Sequence, residues 1–316
     1  MTDSVADRKY TFGPVPSRRL GLSLGVDLVP RKVCTQDCIY CQVGRTTDCT
    51  VRRGDFVPVD EVLDEITRVL PHVPRPDYIT MSGSGEPTLN VRLGDVIDGV
   101  RRITDVPVAV ITNGTLLTEA DVRRDCAKAD LVVPSLDAAD EATFQAVNRP
   151  ARGLTLEGLV AGLVTFRREF RGQFWLEVFL AAGRNDSDEQ VAAMGRLIER
   201  INPDRIDLNT ATRPTADADV RAVSPERLAA IAARLGPKAH VVASFKASRI
   251  TEAMAVNENQ VLAMIRRRPV TLDDIAVGLG AHANEVAKVV GHLLESGLIR
   301  RSDRGGLAYY EAAEKP

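Results

Sequence analysis

Cys34, Cys38 and Cys41 lie in the run CTQDCIYC, a C-x3-C-x2-C spacing with Tyr40 directly before the last cysteine. Three thiolates on so short a loop can hold three irons of a four-iron, four-sulfur cube. The missing fourth thiolate then leaves one iron open to an exogenous ligand, and an open iron is a place for reactions. The alternative is a structural zinc site, which needs a fourth ligand and normally pairs C-x2-C units. The chain has five cysteines, and Cys49 and Cys126 fall outside the spacing. Cys126, in DVRRDCAKADL, reads as a small buried residue of a helix. A second all-cysteine cluster would need three or four further thiolates. Sulfur insertion from a sacrificial cluster and relay through extra clusters are therefore disfavoured, unless a partner protein supplies them.

Behind the cysteine loop come Ser82-Gly83-Ser84-Gly85-Glu86-Pro87 and Thr112-Asn113-Gly114, each at the end of a predicted strand. Singly, each is an ordinary glycine turn. In this order behind CTQDCIYC, they make the chain resemble the radical S-adenosylmethionine (SAM) superfamily. The resemblance implies a [4Fe-4S] cluster on Cys34, Cys38 and Cys41 whose unique iron binds the amino and carboxylate groups of SAM. One electron, from a donor of flavodoxin or ferredoxin type, would cleave SAM to methionine and a 5′-deoxyadenosyl radical that abstracts hydrogen from the substrate. It also implies that Ser84, Gly85 and Glu86 stand where the family has Gly-Gly-Glu, with backbone carbonyls and the Glu accepting from the methionine ammonium. Ser84 departs from that pattern, which matters little if the backbone binds. Tyr40 and Asn113 join the SAM-binding set. Short polar side chains at later strand ends suit the ribose hydroxyls and the adenine edge. Ser135 is the first ribose candidate and Asn209 the second. Asn185 is either a third or the lead-in to a helix cap.

A finer likeness lies in Phe12-Gly13-Pro14-Val15-Pro16-Ser17-Arg18-Arg19-Leu20-Gly21, Leu24-Gly25-Val26-Asp27, Asn148-Arg149-Pro150, Glu177-Val178-Phe179-Leu180 and Arg213-Pro214. Together they resemble the iron-sulfur oxidoreductases grouped with the wyosine base synthases, over roughly residues 10 to 245. Those synthases use a second cluster and a Schiff-base lysine. Lys32 and Lys246 are available here, but the cysteines for a second cluster are absent, so that activity is not carried over. Arg18, Arg19, Arg149 and Arg213 are substrate candidates, since guanidinium groups at a barrel mouth suit a phosphate or carboxylate. The alternative is surface arginines paired with some of the 43 acidic residues.

Positioning these residues requires a scaffold, and from residue 24 to about 245 short apolar runs alternate with amphipathic stretches, the pattern of βα units and a parallel sheet. Strands are expected at Leu24 to Val29, Tyr78 to Ser82, Val106 to Thr112, Leu131 to Ser135, Trp175 to Ala181 and Arg205 to Asn209. Helices are expected at Val59 to Leu70, Val91 to Ile103, Thr118 to Ala127, Leu154 to Phe170, Ser187 to Ile201 and Ser224 to Leu235. Ser187 with Gln190 forms a capping box, and Ser224 before Pro225 is an N-cap with proline at the first helical position. The family likeness implies a partial (β/α)6 TIM-like barrel, over residues 1–250, with its chemistry at the C-terminal strand ends.

Residues 251–316 read differently, as helix, helix, helix and hairpin: Gln260 to Arg268, Leu272 to Gly278 behind Thr271, Ala283 to Ser296, then Leu298 to Arg301 and Leu307 to Tyr310. The order resembles a winged-helix (α+β) domain. Val286, Val289, Val290, Leu293 and Leu294 give the third helix a buried stripe. Its other face mixes Glu285 and Glu295 with Lys288 and His292, and acids equal bases from Glu258 onward. That balance does not suggest strong phosphate binding, so a specific DNA site is not expected. RNA contact, peptide docking or a lid over the barrel remain open. Since the SAM contacts are read within the barrel, truncation before Glu258 is expected to leave SAM cleavage intact.

The 316 residues are 44% hydrophobic and 27% charged, with a formal charge of -2, which suits a globular enzyme with one large and one small domain. The N-terminus MTDSVADRKY lacks a basic start followed by an apolar run, and no stretch approaches a membrane span. A reducing cytoplasm is the expected compartment. Two readings compete: a radical SAM enzyme acting on a substrate such as RNA or a peptide, and an iron-sulfur-sensing winged-helix DNA-binding regulator. The SAM-type turns favour the enzyme.

Overall fold

The computed structural model describes residues 8–212, 215–242, 258–279, 283–304 and 307–313. The chain enters through a hairpin, β1 (Thr11–Ser17) and β2 (Gly21–Val26), then passes two short paired strands, β3 (Val33–Cys34) and β4 (Asp48–Cys49). Alternation follows: α1 (Val59–Val69), β5 (Tyr78–Met81), α2 (Leu93–Ile103), β6 (Val108–Thr112), α3 (Ala120–Cys126), β7 (Leu131–Pro134), α4 (Glu141–Val147), α5 (Leu156–Glu169), β8 (Gln173–Leu180), α6 (Asp188–Ile201), β9 (Arg205–Thr210), α7 (Pro225–Leu235) and β10 (Ala239–Val241). The main sheet has eight strands in the order β1-β2-β5-β6-β7-β8-β9-β10, antiparallel at β1 and parallel from β2 onward.

Alternation within the strands separates the faces of this sheet. On β8, Phe174, Leu176 and Val178 join the main core, while Trp175 turns to the opposite face with Leu20, Ala109, Leu131 and Val133. Both N-caps read from the sequence are present, Ser187 accepting from the Gln190 N–H (3.3 Å) and Ser224 from the Arg227 N–H (3.2 Å), but the capping box at Ser187 is not closed, because the Gln190 side chain turns to Asp140 and Thr143. Val191, Met194, Ile198 and Ile201 form the buried stripe of α6. Among the strands and α-helices, β1, the short β3 and β4, α4 behind its Asp140 cap, and β10 were not anticipated. Cys126 is buried in α3, and Cys49 is exposed.

The C-terminal part consists of α8 (Glu258–Arg267), α9 (Leu272–Leu279), α10 (Ala283–Glu295) and a hairpin of β11 (Ile299–Arg304) and β12 (Leu307–Ala312). Thr271 and Asp274 cap α9 reciprocally: the Asp274 N–H donates to Oγ1 of Thr271 (3.1 Å) and the Thr271 N–H to Oδ2 of Asp274 (3.0 Å). Val261, Ile265, Ile275, Val286, Val290 and Leu293 build a core of its own. That core is not closed, because Val15 of β1 packs against it. At the far side of the sheet the Tyr309 hydroxyl donates to the Thr212 carbonyl (2.9 Å), just past β9. The C-terminal part thus touches both the β1 edge and the end of β9. Residues 243–257, including Lys246, and Arg213 lie outside the described residues.

Candidate metal centre

The loop carrying Cys34, Cys38 and Cys41 is fixed mainly through its backbone. The Asp37 N–H donates to the Asn148 carbonyl (3.1 Å), Ile39 to Val147 (2.9 Å) and Ala151 to Thr35 (2.8 Å), so residues 147–151 form a rail along it. On the other side the Lys32 N–H donates to Ser84 (2.9 Å) and the Glu86 N–H to Val33 (3.1 Å). Gly85 permits that approach, since a Cβ there would lie 2.1 Å from the Val33 carbonyl oxygen.

Each thiol has its own nitrogen donor. Asn113 Nδ2 lies 3.6 Å from Cys34 Sγ, Asn148 Nδ2 3.6 Å from Cys38 Sγ, and Lys32 Nζ 3.1 Å from Cys41 Sγ. Burial pushes the Cys34 thiol up to about 12, with Glu86 adding to the rise, and raises Cys38 well above the ordinary thiol range, with Asp137 adding. Iron binding deprotonates such thiols outright and releases their protons. Among the described residues no three Cys, His, Asp or Glu groups are arranged about a single metal ion. Three thiols with N–H donors fit the sulfur-rich surface of a four-iron cluster.

Glu86, expected to face a ligand ammonium, spends both carboxylate oxygens inside the protein. Oε1 accepts from the Thr112 hydroxyl (2.6 Å) and from the hydroxyl (2.7 Å) and N–H (3.1 Å) of Thr88, and Oε2 from the Asn113 N–H (2.7 Å). Burial raises its carboxyl despite these donors. The result is a rivet between the turns after β5 and β6. Asn113 passes the connection on: its Nδ2 donates to the Thr35 hydroxyl (2.7 Å), and its Oδ1 accepts from the hydroxyl (2.8 Å) and N–H (3.1 Å) of Thr115.

Tyr40 stacks on Phe179 with ring centroids 3.9 Å apart, and its hydroxyl donates to Asp137. Asp137 also accepts from Asn148 Nδ2 (2.8 Å) and the Phe179 N–H (2.8 Å), and burial pushes its carboxyl up to about 6 against these bonds. Asn185 clamps the same region by donating to the carbonyls of Asp137 (2.7 Å) and Phe179 (2.7 Å), so it belongs to the scaffold. Ser135 is half-buried beside Glu177, its β-bridge partner.

The arginines divide. Arg19 reaches from the β1–β2 turn to a largely shielded ion pair with Glu177. Burial works to raise the Glu177 carboxyl, but Arg19, then Asn209, then Arg18 outweigh it and hold it below the usual range. Arg18 donates to Asn209 Oδ1 (3.2 Å) and the Thr212 hydroxyl (3.0 Å), while Asn209 Nδ2 donates to Glu177 (2.9 Å). Arg149 forms a two-pronged pair with Asp217 (2.7 and 3.1 Å), away from the Arg18–Arg19 group. Arg19 and Arg149 thus pair with acids, while Arg18 bonds to neutral side chains. Sequence reasoning assigned no role to Asp27, whose signal was an acid just past the end of the first parallel strand. Its carboxylate holds Ser84 through the Ser84 N–H (3.0 Å) and hydroxyl.

A family profile described as the Radical SAM superfamily matches residues 28–198. A UPF0026 protein of Helicobacter pylori is 31% identical over 278 residues, covering 86% of this chain and 88% of that one. A Brachyspira hyodysenteriae protein named GTPase Obg is 36% identical over 312 residues, covering 98% of this chain and 46% of that protein. The chain thus spans about half of that relative's length, and it contains no Gly-x4-Gly-Lys-Ser/Thr loop for a nucleotide. Among solved structures, a radical SAM methyltransferase from Sphaerobacter thermophilus shares the fold at a TM-score of 0.51 and 21% identity, covering 69% of this chain and 65% of that one. The thiol loop lies inside the matched span, and the chain belongs to the radical SAM superfamily, with its [4Fe-4S] cluster and SAM as cofactors, and within it to the UPF0026 proteins.

Proposed function

We propose that the chain cleaves SAM reductively at a cluster on Cys34, Cys38 and Cys41 and abstracts hydrogen from a substrate held beneath it, between the ends of β6 to β9 and Arg18. The observation that carries this reading is the set of three thiols on one loop, each with a side-chain N–H donor. When bound, the cluster and SAM supply the electron and the hydrogen-abstracting radical. The chain's own residues orient them. Glu86 and Asn113 hold the turn beside the loop, the Ser84 backbone is engaged by Lys32 and Asp27 so that Gly85 is the part of the turn offered to the methionine end, and Tyr40, Ser135 and Asn209 flank the nucleoside end. Arg18 and Arg19 bound the substrate space, and Arg149 fixes the neighbouring segment.

Residues 1–250 form the reaction core and 251–316 a winged-helix-like domain that handles substrate. Its contacts with β1 and Thr212 support a lid over an RNA or peptide segment more than a DNA reader. The likeness to wyosine base synthases names no substrate. Among the described residues no helix is long and apolar enough to cross a membrane, in keeping with a cytoplasmic enzyme served by a flavodoxin- or ferredoxin-type donor. Dithionite-reduced, anaerobically reconstituted protein is expected to convert SAM to 5′-deoxyadenosine, measured by chromatography. Absence of the nucleoside in protein with full iron content would reject the reading.

Lys32 carries a second prediction. A cation 3.1 Å from Cys41 Sγ stabilises the more negative, reduced cluster. Lys32→Met is expected to lower the reduction potential by roughly 50 mV, on the order of 1 kcal/mol for one electron. Redox titration followed by electron paramagnetic resonance reads the change, and an unchanged potential would show that Lys32 only packs.

A further inference from the structure

We infer that Arg267, at the end of α8, is a positioning residue for the turn Ser82 to Glu86 and acts on it through Asp27; the inference rests on reading that turn as part of the SAM site. The guanidinium carbon lies 3.2 Å from the ring centroid of Phe12, and Nη1 lies 3.6 Å from Asp27 Oδ2. Phe12 is itself fixed against β2, since a Cβ at Gly25 would sit 1.9 Å from its ring. The same Asp27 oxygen that meets Arg267 accepts from the Ser84 N–H and hydroxyl. Its carboxylate presses on the turn closely enough that a Cβ at Gly83 would lie 2.3 Å from the carboxyl carbon.

Arg267 matters because Asp27 is under-compensated. Oδ1 of Asp27 is buried and has no hydrogen-bond partner. A carboxylate taken out of water with one bare oxygen is costly unless a counter-charge lies near. Arg267 supplies that charge from a residue 240 positions away. The other acid bearing on the guanidinium, Glu65, is already engaged by the N–H groups of Lys9, Tyr10 and Thr11. Loss of Arg267 frees the Asp27 side chain to turn toward water and release Ser84. The C-terminal part is therefore a component of the cofactor site, and truncation before Glu258 weakens SAM binding, contrary to the reading of the barrel as self-sufficient.

The test uses the full chain, reconstituted anaerobically, with SAM affinity measured by equilibrium dialysis and cluster content by iron analysis. Arg267→Met, which keeps an unbranched chain on Phe12, is expected to raise the Kd for SAM about tenfold, or about 1.4 kcal/mol, at unchanged iron content. Arg267→Lys, which keeps the charge, should recover most of the affinity. Asp27→Asn should weaken binding similarly, and the double variant should be no worse than either single one, the signature of residues acting as a unit. Unchanged affinity in both Arg267 variants would overturn the proposal. So would an equal loss in Tyr309→Phe, which disturbs docking at Thr212 without touching Asp27, because docking in general would then be the cause. Gly85→Val separates the underlying reading: if it leaves the Kd unchanged, the turn itself is not a SAM site, whatever Arg267 does.

Discussion

Single replacement of Cys34, Cys38 or Cys41 by alanine is expected to abolish the broad visible absorbance of reconstituted protein and bring iron from about four per chain to well below one. On this assignment each thiolate would hold one iron, and the neighbouring nitrogens could not take its place. Lys32 carries a charge of the wrong sign, and Asn113 and Asn148 offer N–H groups that support sulfur instead of binding iron. The contrast is internal: Cys49→Ala, at an exposed position, should leave both iron and absorbance unchanged. Iron and sulfide analysis decides the matter. Two clusters per chain, or zinc in place of iron, would refute the assignment.

The second large effect belongs to Glu86. Glu86→Gln keeps the shape but replaces one acceptor oxygen with an NH2 group, which must then face either the Asn113 N–H or the Thr88 N–H. A donor set against a donor in a buried site costs about 2 to 3 kcal/mol. For a chain of this size that amounts to a fall of several degrees in Tm. The loss propagates along a defined route, from Asn113 to Thr35 and Cys34, so cluster loading and SAM affinity should fall together. Calorimetry and iron analysis on the same preparation check both. A variant with normal Tm and normal loading would show that the rivet is not needed.

The thiol loop was legible because its ligands are contiguous, and the parallel strands because they are short apolar runs between amphipathic stretches. The strand β1 was hidden for a local reason. Its sequence TFGPVPS is broken by glycine and prolines, and the ladder absorbs them with a register shift between Phe12 and Val15. Helix α4 has only seven residues and one capping acid, Asp140, to announce it. The partners of Glu86, Arg18 and Arg19 could not be read at all. Each depends on which strand ends come side by side, and Arg18 meets Asn209 across 191 positions of sequence. An arginine that closes an internal pair and one that awaits an anion look alike until the sheet is assembled.

The order of the sheet has a consequence for how the chain is made. Along β1-β2-β5-β6-β7-β8-β9-β10 every strand lies beside its predecessor in the chain, apart from the separate β3–β4 pair. During synthesis each strand leaving the ribosome finds its neighbour already in place, so every pairing spans only the connection just made. Three connections break this rule. The cysteine loop lacks its rail until residues 147–151 have emerged, Arg18 and Arg19 wait for β8 and β9, and Asp27 waits for Arg267. Iron delivered to the nascent chain before residue 148 would meet thiols without their full support. Cluster loading is therefore expected to be efficient only on chains that extend past residue 151.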